Sequence, residues 1–285
     1  MGAVRFSIDP VLVQTLKRAL PIDVFVETGT FEGQTIQTVL PFFEEIYTCE
    51  VSEHLHAEVI KKFAGVNKVH PALGDSGCFL ADLMPRLGNR SVLFWLDAHW
   101  CAAEGTAGQA SECPLLDEIR AIHQLNEESV ILIDDARLFL CPPPSPHEVS
   151  SWPALDDVLR ALRLLSSQHR LMVLNDVVVF FPEKLQRAIA EFAHHHAIDW
   201  LSVMDRSRDY DKVLTDSRTK DIEIAGLARV CSERLKLIES QSDEIERMRK
   251  LLKSTVYRLG FCLVHPVTAA KELIRRSVPD KDTSE

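Results

Sequence analysis

Apolar positions along the first two-thirds of the chain come in short runs separated by longer stretches of mixed polarity. Residues 22–27 (IDVFVE) form a β-branched apolar run that ends in a glycine-bearing turn, the pattern of a buried strand. The same pattern returns at 46–51, 69–73, 91–96 and 129–133. Between these runs, residues 33–43, 55–63, 75–87 and 114–126 read as helices, and 152–165 follows as another. Residues 170–174 and 177–181 predict a hairpin across Asn175-Asp176. Strands separated by helices of about 10–15 residues predict βαβ units and an α/β, doubly wound, mostly parallel sheet of seven strands. Helices would cover both faces, and the hairpin would add antiparallel strands at one edge.

The pattern changes near residue 200. Residues 205–220 are polar and charged, which predicts a linker over 201–220. Beyond it, Ile224, Cys231, Ile238, Ile245, Leu252 and Leu259 recur every seventh residue. The companion column, Leu227, Arg234, Gln241, Met248 and Thr255, is half polar. The reading is an amphipathic helix over 221–260, either a coiled coil joining copies of the chain or a helix packed on its own domain.

Composition narrows the classes. The chain has 285 residues, 46% hydrophobic and 26% charged, which suits one large α/β domain on residues 1–200 plus a smaller extension. A formal net charge of −10 argues against binding to a nucleic-acid backbone. No run of about 18 apolar residues predicts a spanning helix. The first residues match neither a secretory signal nor a myristoylation site. Seven scattered cysteines with no CxxC pair read as free thiols in a cytoplasmic protein.

Candidate chemistry lies at the strand ends, where ligands bind in such sheets. The first predicted strand runs into Glu27-x-Gly29-x-x-x-Gly33, whose glycines permit close backbone approach before a helix N-terminus. The second ends at Glu50, suited to accept hydrogen bonds from two ribose hydroxyls, or else simply an acid at a strand end. The third leads to Gly74-Asp75-Ser76, where Asp75 would accept from an adenine amine or stand exposed. The glycine spacing is not the G-x-G-x-x-G of dinucleotide enzymes, which disfavours hydride transfer.

VETGTFEGQT (26–35) resembles the first motif of class I S-adenosylmethionine-dependent methyltransferases, and the order of elements over about 20–185 is similar to their Rossmann-like core. The resemblance implies that Glu27, Gly29 and Gly33 line the cofactor, with Thr28, Phe31 and Thr35 as lesser candidates and Glu50 on the ribose.

The fourth and fifth predicted strands end in LDAHW (96–100) and IDDAR (133–137). Asp97, Asp134 and Asp135 would repel one another there unless protonated or bound to a cation, and Mg²⁺ suits such oxygen donors. The arrangement is similar to metal-dependent O-methyltransferases of the catechol and macrocin kinds. That similarity implies Asp97, Asp134 and Asp135 as metal ligands and a metal-activated hydroxyl as nucleophile; otherwise Asp97 and Asp134 would bind cofactor or cap helices. His99 is a candidate general base, or a residue that orients one. His99, Cys101 and Cys113 fit no common zinc spacing. Residues 101–113 would form a loop over the cleft, and 141–147, rich in proline, either a pocket wall or a plain connection. His194–His196 reads as a solvated helix end.

From Arg249 to Arg276, seven basic residues stand against the single acid Glu272, a net +6 that leaves −16 elsewhere. With the apolar residues interleaved among them, a basic tail over 261–285 would bind an anionic membrane surface, an acidic partner or its own domain. Such tails resemble those on enzymes of bacterial glycan assembly, which implies a sugar or glycan hydroxyl as acceptor at the inner face of the membrane. Small phenolic acceptors and a non-catalytic scaffold are the alternatives.

Overall fold

A computed structural model describes residues 7–101 and 112–277. The chain forms two compact units that divide between Ile198 and Asp199. The first opens with α1 (Pro10–Ala19), then β1 (Val24–Thr28), α2 (Gln34–Val39), β2 (Glu45–Glu50) and α3 (Glu53–Lys62). It continues through β3 (Val69–Leu73), α4 (Ser76–Leu87), β4 (Val92–Leu96), α5 (Leu115–Ile122) and β5 (Val130–Ile133). After α6 (Arg137–Leu140) and α7 (Leu155–Leu165), β6 (His169–Leu174), β7 (Val177–Pro182) and α8 (Gln186–His196) close the unit.

The seven strands lie in the order β3-β2-β1-β4-β5-β7-β6. The first five are parallel; β7 runs antiparallel between β5 and β6, so the predicted hairpin forms the edge. This is the expected α/β Rossmann-like, doubly wound sheet. Asn175 and Asp176 at the hairpin turn both have positive φ, 50° and 72°, which matches the right-handed twist of two joined strands.

Every residue of β1, β4 and β5 is buried, because helices cover both faces. One core gathers Phe25, Ile46, Trp95 and Leu132 against α1, α2 and α8; the other gathers Val26, Phe94 and Ile133 against α4, α5 and α7. Phe25 is fully buried, and its truncation to alanine would cost about 3–5 kcal/mol. Helix α1 has no counterpart in the sequence reading. Asp9 caps it by accepting from the Val11 N–H, Pro10 starts it, and Leu12, Val13 and Leu16 dock on the sheet.

The second unit corrects two expectations. Residues 201–220 are not a loose linker but the first part of α9 (Trp200–Lys253), one helix of 54 residues. Asp199 caps its start and no proline interrupts it, so polar residues of adequate helix propensity carry it through. The predicted helix over 221–260 also breaks at Ser254, whose extended backbone ends α9 while its hydroxyl accepts from the Tyr257 N–H to start α10 (Thr255–Val264). Leu259 therefore lies beyond the break. The tail continues as α11 (Pro266–Ser277), and among the described residues no helix is long and apolar enough to cross a membrane.

Candidate active site

The carboxyl ends of β1, β2 and β4 meet at one point. Gly29 and Thr30 donate their N–H groups to the Cys49 carbonyl at 3.0 and 3.1 Å, folding the loop after β1 over the end of β2. Gly29 has φ 78°, and a Cβ on it would sit 2.3 Å from the Asp97 carbonyl oxygen, so only glycine fits between the two backbones. Gly33 has φ 70°, and a Cβ there would press on the Phe63 ring at 2.8 Å. Phe31 takes φ 48° and donates its N–H to Glu50 Oε2 at 2.8 Å. Glu50 Oε1 accepts from the Ser52 N–H at 2.9 Å. Both oxygens are thus anchored, yet a carboxylate offers about four acceptor sites, so two remain for a ligand.

Glu27 differs. Its side chain is fully buried, Oε2 accepts from the Thr48 hydroxyl at 2.7 Å, and Oε1 has no hydrogen-bond partner among the described residues. Burial pushes its pKa up to about 8, against the opposing pull of the Thr48 and Thr35 hydroxyls. A buried carboxyl with one unmatched oxygen is costly and calls for a donor, ideally a cation. Thr35 is buried nearby and accepts from the Ser7 hydroxyl at 3.1 Å; Thr28 Oγ1 accepts from the Asp97 N–H at 3.2 Å.

At the third turn, Asp75 is exposed and caps α4 through the Cys78 N–H at 2.9 Å, while Ser76 is buried. Behind them stands Glu118, absent from the sequence reading. It is buried on α5, and its Oε1 has no hydrogen-bond partner among the described residues. Burial lifts it to about 7, and the hydroxyls of Ser76 and Thr28 and the nearby His99 pull it back. Its signal was available: Leu115, Glu118, Ile119 and Ile122 share one helical face, so the acid occupies a core position.

Across the cleft, His99 Nε2 lies 2.7 Å from Asp135 Oδ2, and its Nδ1 lies 3.7 Å from Asp97 Oδ1. Burial would raise Asp135, but the hydrogen bond and charge of His99, with Arg137, hold it down at about 2. An ionised carboxylate only accepts, so Nε2 donates to Asp135, and Nδ1 is the ring atom turned toward Asp97. Asp135, itself at φ 53°, also accepts from Arg137 at 2.5 Å, and Arg137 pairs with Asp176 on the hairpin turn. The Arg137 N–H reaches Asp176 Oδ1 at 2.8 Å, tying the hairpin to the segment after β5. Burial raises Asp97 well above the usual carboxylate range, and Asp134 adds to it; Trp95 Nε1 donates to its Oδ2 at 3.3 Å.

Asp134 turns elsewhere, into a hollow lined by Ser7, Asp9, Leu174, Asn175 and Phe192. Burial and Asp135 raise it to about 6, and its Oδ2 has no hydrogen-bond partner among the described residues. The three aspartates are therefore not gathered as the expected metal ligands: Asp134 lines a separate hollow, and Asp135, at φ 53°, is already engaged by His99 and Arg137. Among the described residues no three His, Cys, Asp or Glu side chains form a metal-ligating group.

One wall is aromatic. The buried Glu112 accepts from Trp152 Nε1 at 2.8 Å, from the Glu148 N–H at 3.1 Å and from His147 Nδ1 at 3.3 Å. Burial alone would raise its pKa; these donors lower it below the ordinary value. Trp100 meets His147 edge-on at 5.6 Å, and Trp152 packs against His99, Phe139 and His147. The proline-rich 141–147 segment is thus bound to the site through His147. Most of the expected cleft loop, 102–111, lies outside the described residues.

No protein-family model matches the chain, and no curated protein matches it. Many solved structures match in fold. A Staphylococcus aureus protein ascribed caffeoyl-CoA O-methyltransferase activity is 12% identical over 61% of this chain and 84% of its own, with a TM-score of 0.44. An S-adenosylmethionine-dependent methyltransferase from Clostridium acetobutylicum is 12% identical over 60% of this chain and 88% of its own, TM-score 0.39. A sugar N-methyltransferase from a Streptoalloteichus species is 12% identical over 61% and 84%, TM-score 0.40. At these identities and scores the likenesses carry nothing about reaction or substrate.

Proposed function

We propose that the chain is an S-adenosylmethionine-dependent methyltransferase acting on a hydroxyl of a sugar or glycan. The observation that carries the reading is the unmatched Glu27 Oε1, buried beside two positive-φ glycines and an anchored Glu50 at the carboxyl edge of a doubly wound sheet. A zwitterionic amino-acid tail supplies the cation that Glu27 lacks, and the free acceptor sites on Glu50 suit ribose hydroxyls. When bound, the cofactor supplies a methyl group on a sulfonium.

The rest is done by this chain. His99 Nδ1 takes the proton of the acceptor hydroxyl, and Asp135 stabilises the imidazolium that results. Arg137 and Asp176 hold Asp135 in place, as the orienting acid of a triad holds its histidine. Positioning accounts for much of the remaining barrier. Trp100 and His147 offer faces on which the C–H side of a sugar would rest. The engagement of Asp135 by His99 and Arg137 favours proton removal by His99 over activation by Mg²⁺, so turnover is expected to persist in EDTA.

Calorimetry with S-adenosylmethionine and NAD tests the first step. Binding of the former alone supports the reading; no heat at millimolar S-adenosylmethionine sinks it. Turnover on glycan against catechol panels then separates the acceptor classes.

A further inference from the structure

Helix α9 contains no buried residue, although it carries a long apolar stripe. Ile224, Cys231, Ile238, Ile245 and Leu252 repeat every seven residues, and Ala228, Leu235, Ser242 and Arg249 each follow four residues after one of them. Together they make a 4-3 repeat of nine positions from 224 to 252, apolar at all but Ser242 and Arg249. Its members stand in solvent: Ile224 is 63% exposed, Leu235 59% and Ile238 63%. Apolar surface repeated at this period on a bare helix fits a second helix of the same period, because a heptad seam stays in contact only when two helices supercoil.

We infer that a second copy of this chain covers the stripe, in a parallel, in-register two-stranded coiled coil over residues 224–252, with Cys231 facing Cys231 of the second copy. The seam complements itself, and its neighbours choose the orientation. In a parallel pair the residue before each Ala228-type position meets the residue five further on in the other copy. Arg234 then meets Glu239, Gln241 meets Glu246, and no like charges oppose. An antiparallel pair sets each of these columns against its own kind, so Arg234 loses Glu239 as its partner. Pairing the seam instead with Leu227, Arg234, Gln241 and Met248 would bury Arg234 midway along the interface. The layout chosen places its one charged seam residue, Arg249, in the last turns before the break at Ser254.

The limits of the interface follow from the same repeat. Upstream it reads Ser217 and Asp221, two polar seam positions in succession, whereas Ser242 and Arg249 each stand between apolar ones, so pairing begins at Ile224. Downstream Ser254 turns the chain. About four heptads remain, roughly 43 Å of helix at 1.5 Å per residue, enough for a stable pair.

Cysteine reports the register. Facing seam residues of a parallel coiled coil lie within the roughly 4.4–6.8 Å Cα span that a disulfide needs. The test uses the full chain with Cys78, Cys141 and Cys262 changed to serine, since these and Cys231 are the exposed thiols. Light scattering is expected to give twice the 32.2 kDa chain mass, and diamide to convert the protein within minutes to a dimer that survives denaturing electrophoresis without reductant. Moving the thiol to the outer face, by Cys231→Ser with Ser240→Cys, is expected to keep the dimer mass and abolish the cross-link. Ile238→Glu is expected to give monomers whose S-adenosylmethionine affinity stays within twofold of the parent's, so the outcome is independent of the methyltransfer reading. A monomer at tens of micromolar overturns the proposal. So does a dimer in which Cys231 cross-links no faster than the thiol at position 240.

Discussion

The two sides of the cleft are built by opposite means. On the side of β1 and β2, the backbone does the shaping: Gly29 and Gly33 in left-handed conformations, and two N–H groups fixing Glu50. The buried acid among them, Glu27, is left half unmatched. On the side of β4 and β5, side chains do the shaping, in a chain from Asp176 through Arg137 and Asp135 to His99. There every charge that His99 depends on is already balanced. An unmatched group marks where a ligand must bring the missing charge, and a matched series marks what must hold still during reaction.

The hardest break is Gly29→Ala. The added methyl meets backbone rather than a movable side chain, at a φ that alanine resists, so S-adenosylmethionine binding should fall more than 100-fold. Stability should drop by more than about 1 kcal/mol. Calorimetry and thermal unfolding read both. His99→Ala should instead leave cofactor affinity within twofold and cut turnover by about 10²–10⁴-fold, the range of a general base. Equal losses in both quantities would erase the contrast between the sides.

Glu27→Gln tests the unmatched acid through pH. The free acid has a pKa of about 8, and a bound cation favours its ionised form, so binding releases a proton below that pH. Affinity of the parent should therefore rise from pH 6 to 8, by at most about tenfold per unit, and level off above. The glutamine variant should bind more weakly with a flat profile. Stability of the ligand-free parent moves the other way. The folded pKa is raised, so this group's stabilising effect, full below about 4.5, is lost as pH climbs to about 8. The variant should then melt above the parent at pH 8, with the gap closing by pH 5. Smallest of all, Arg137→Met should lower turnover several-fold and leave binding unchanged, because Asp135 keeps its bond to His99.

Much of this was legible in the chain. The continuous apolar runs of β1, β4 and β5 have no polar face to mislead, and Asn175-Asp176 is a turn by its chemistry. Strand ends are fixed by the glycine and the acids, so Glu27, Glu50 and Asp97 fell at the same edge. What stayed hidden depends on distance in sequence. The 39-residue separation between Arg137 and Asp176 leaves no local pattern, and only the fold shows that Asp135 is taken. The first part of helix α9 escaped because residues 205–220 lack an apolar stripe, and a helix without one looks like a linker. Glu118 was missed for the converse reason: it sits inside a convincing stripe, where the apolar neighbours draw the eye.

Gly29 also governs reach. With no side chain between them, the loop after β1 and the segment holding Asp97 and His99 rest backbone against backbone, on adjacent strands in register. On the proposed reading, the span from the side of Glu27 and Glu50 to the imidazole is then set like the gap of a caliper that does not adjust. Acceptors would be sorted by the length between their seat on the aromatic wall and their hydroxyl, with one atom too many or too few refused whatever its affinity.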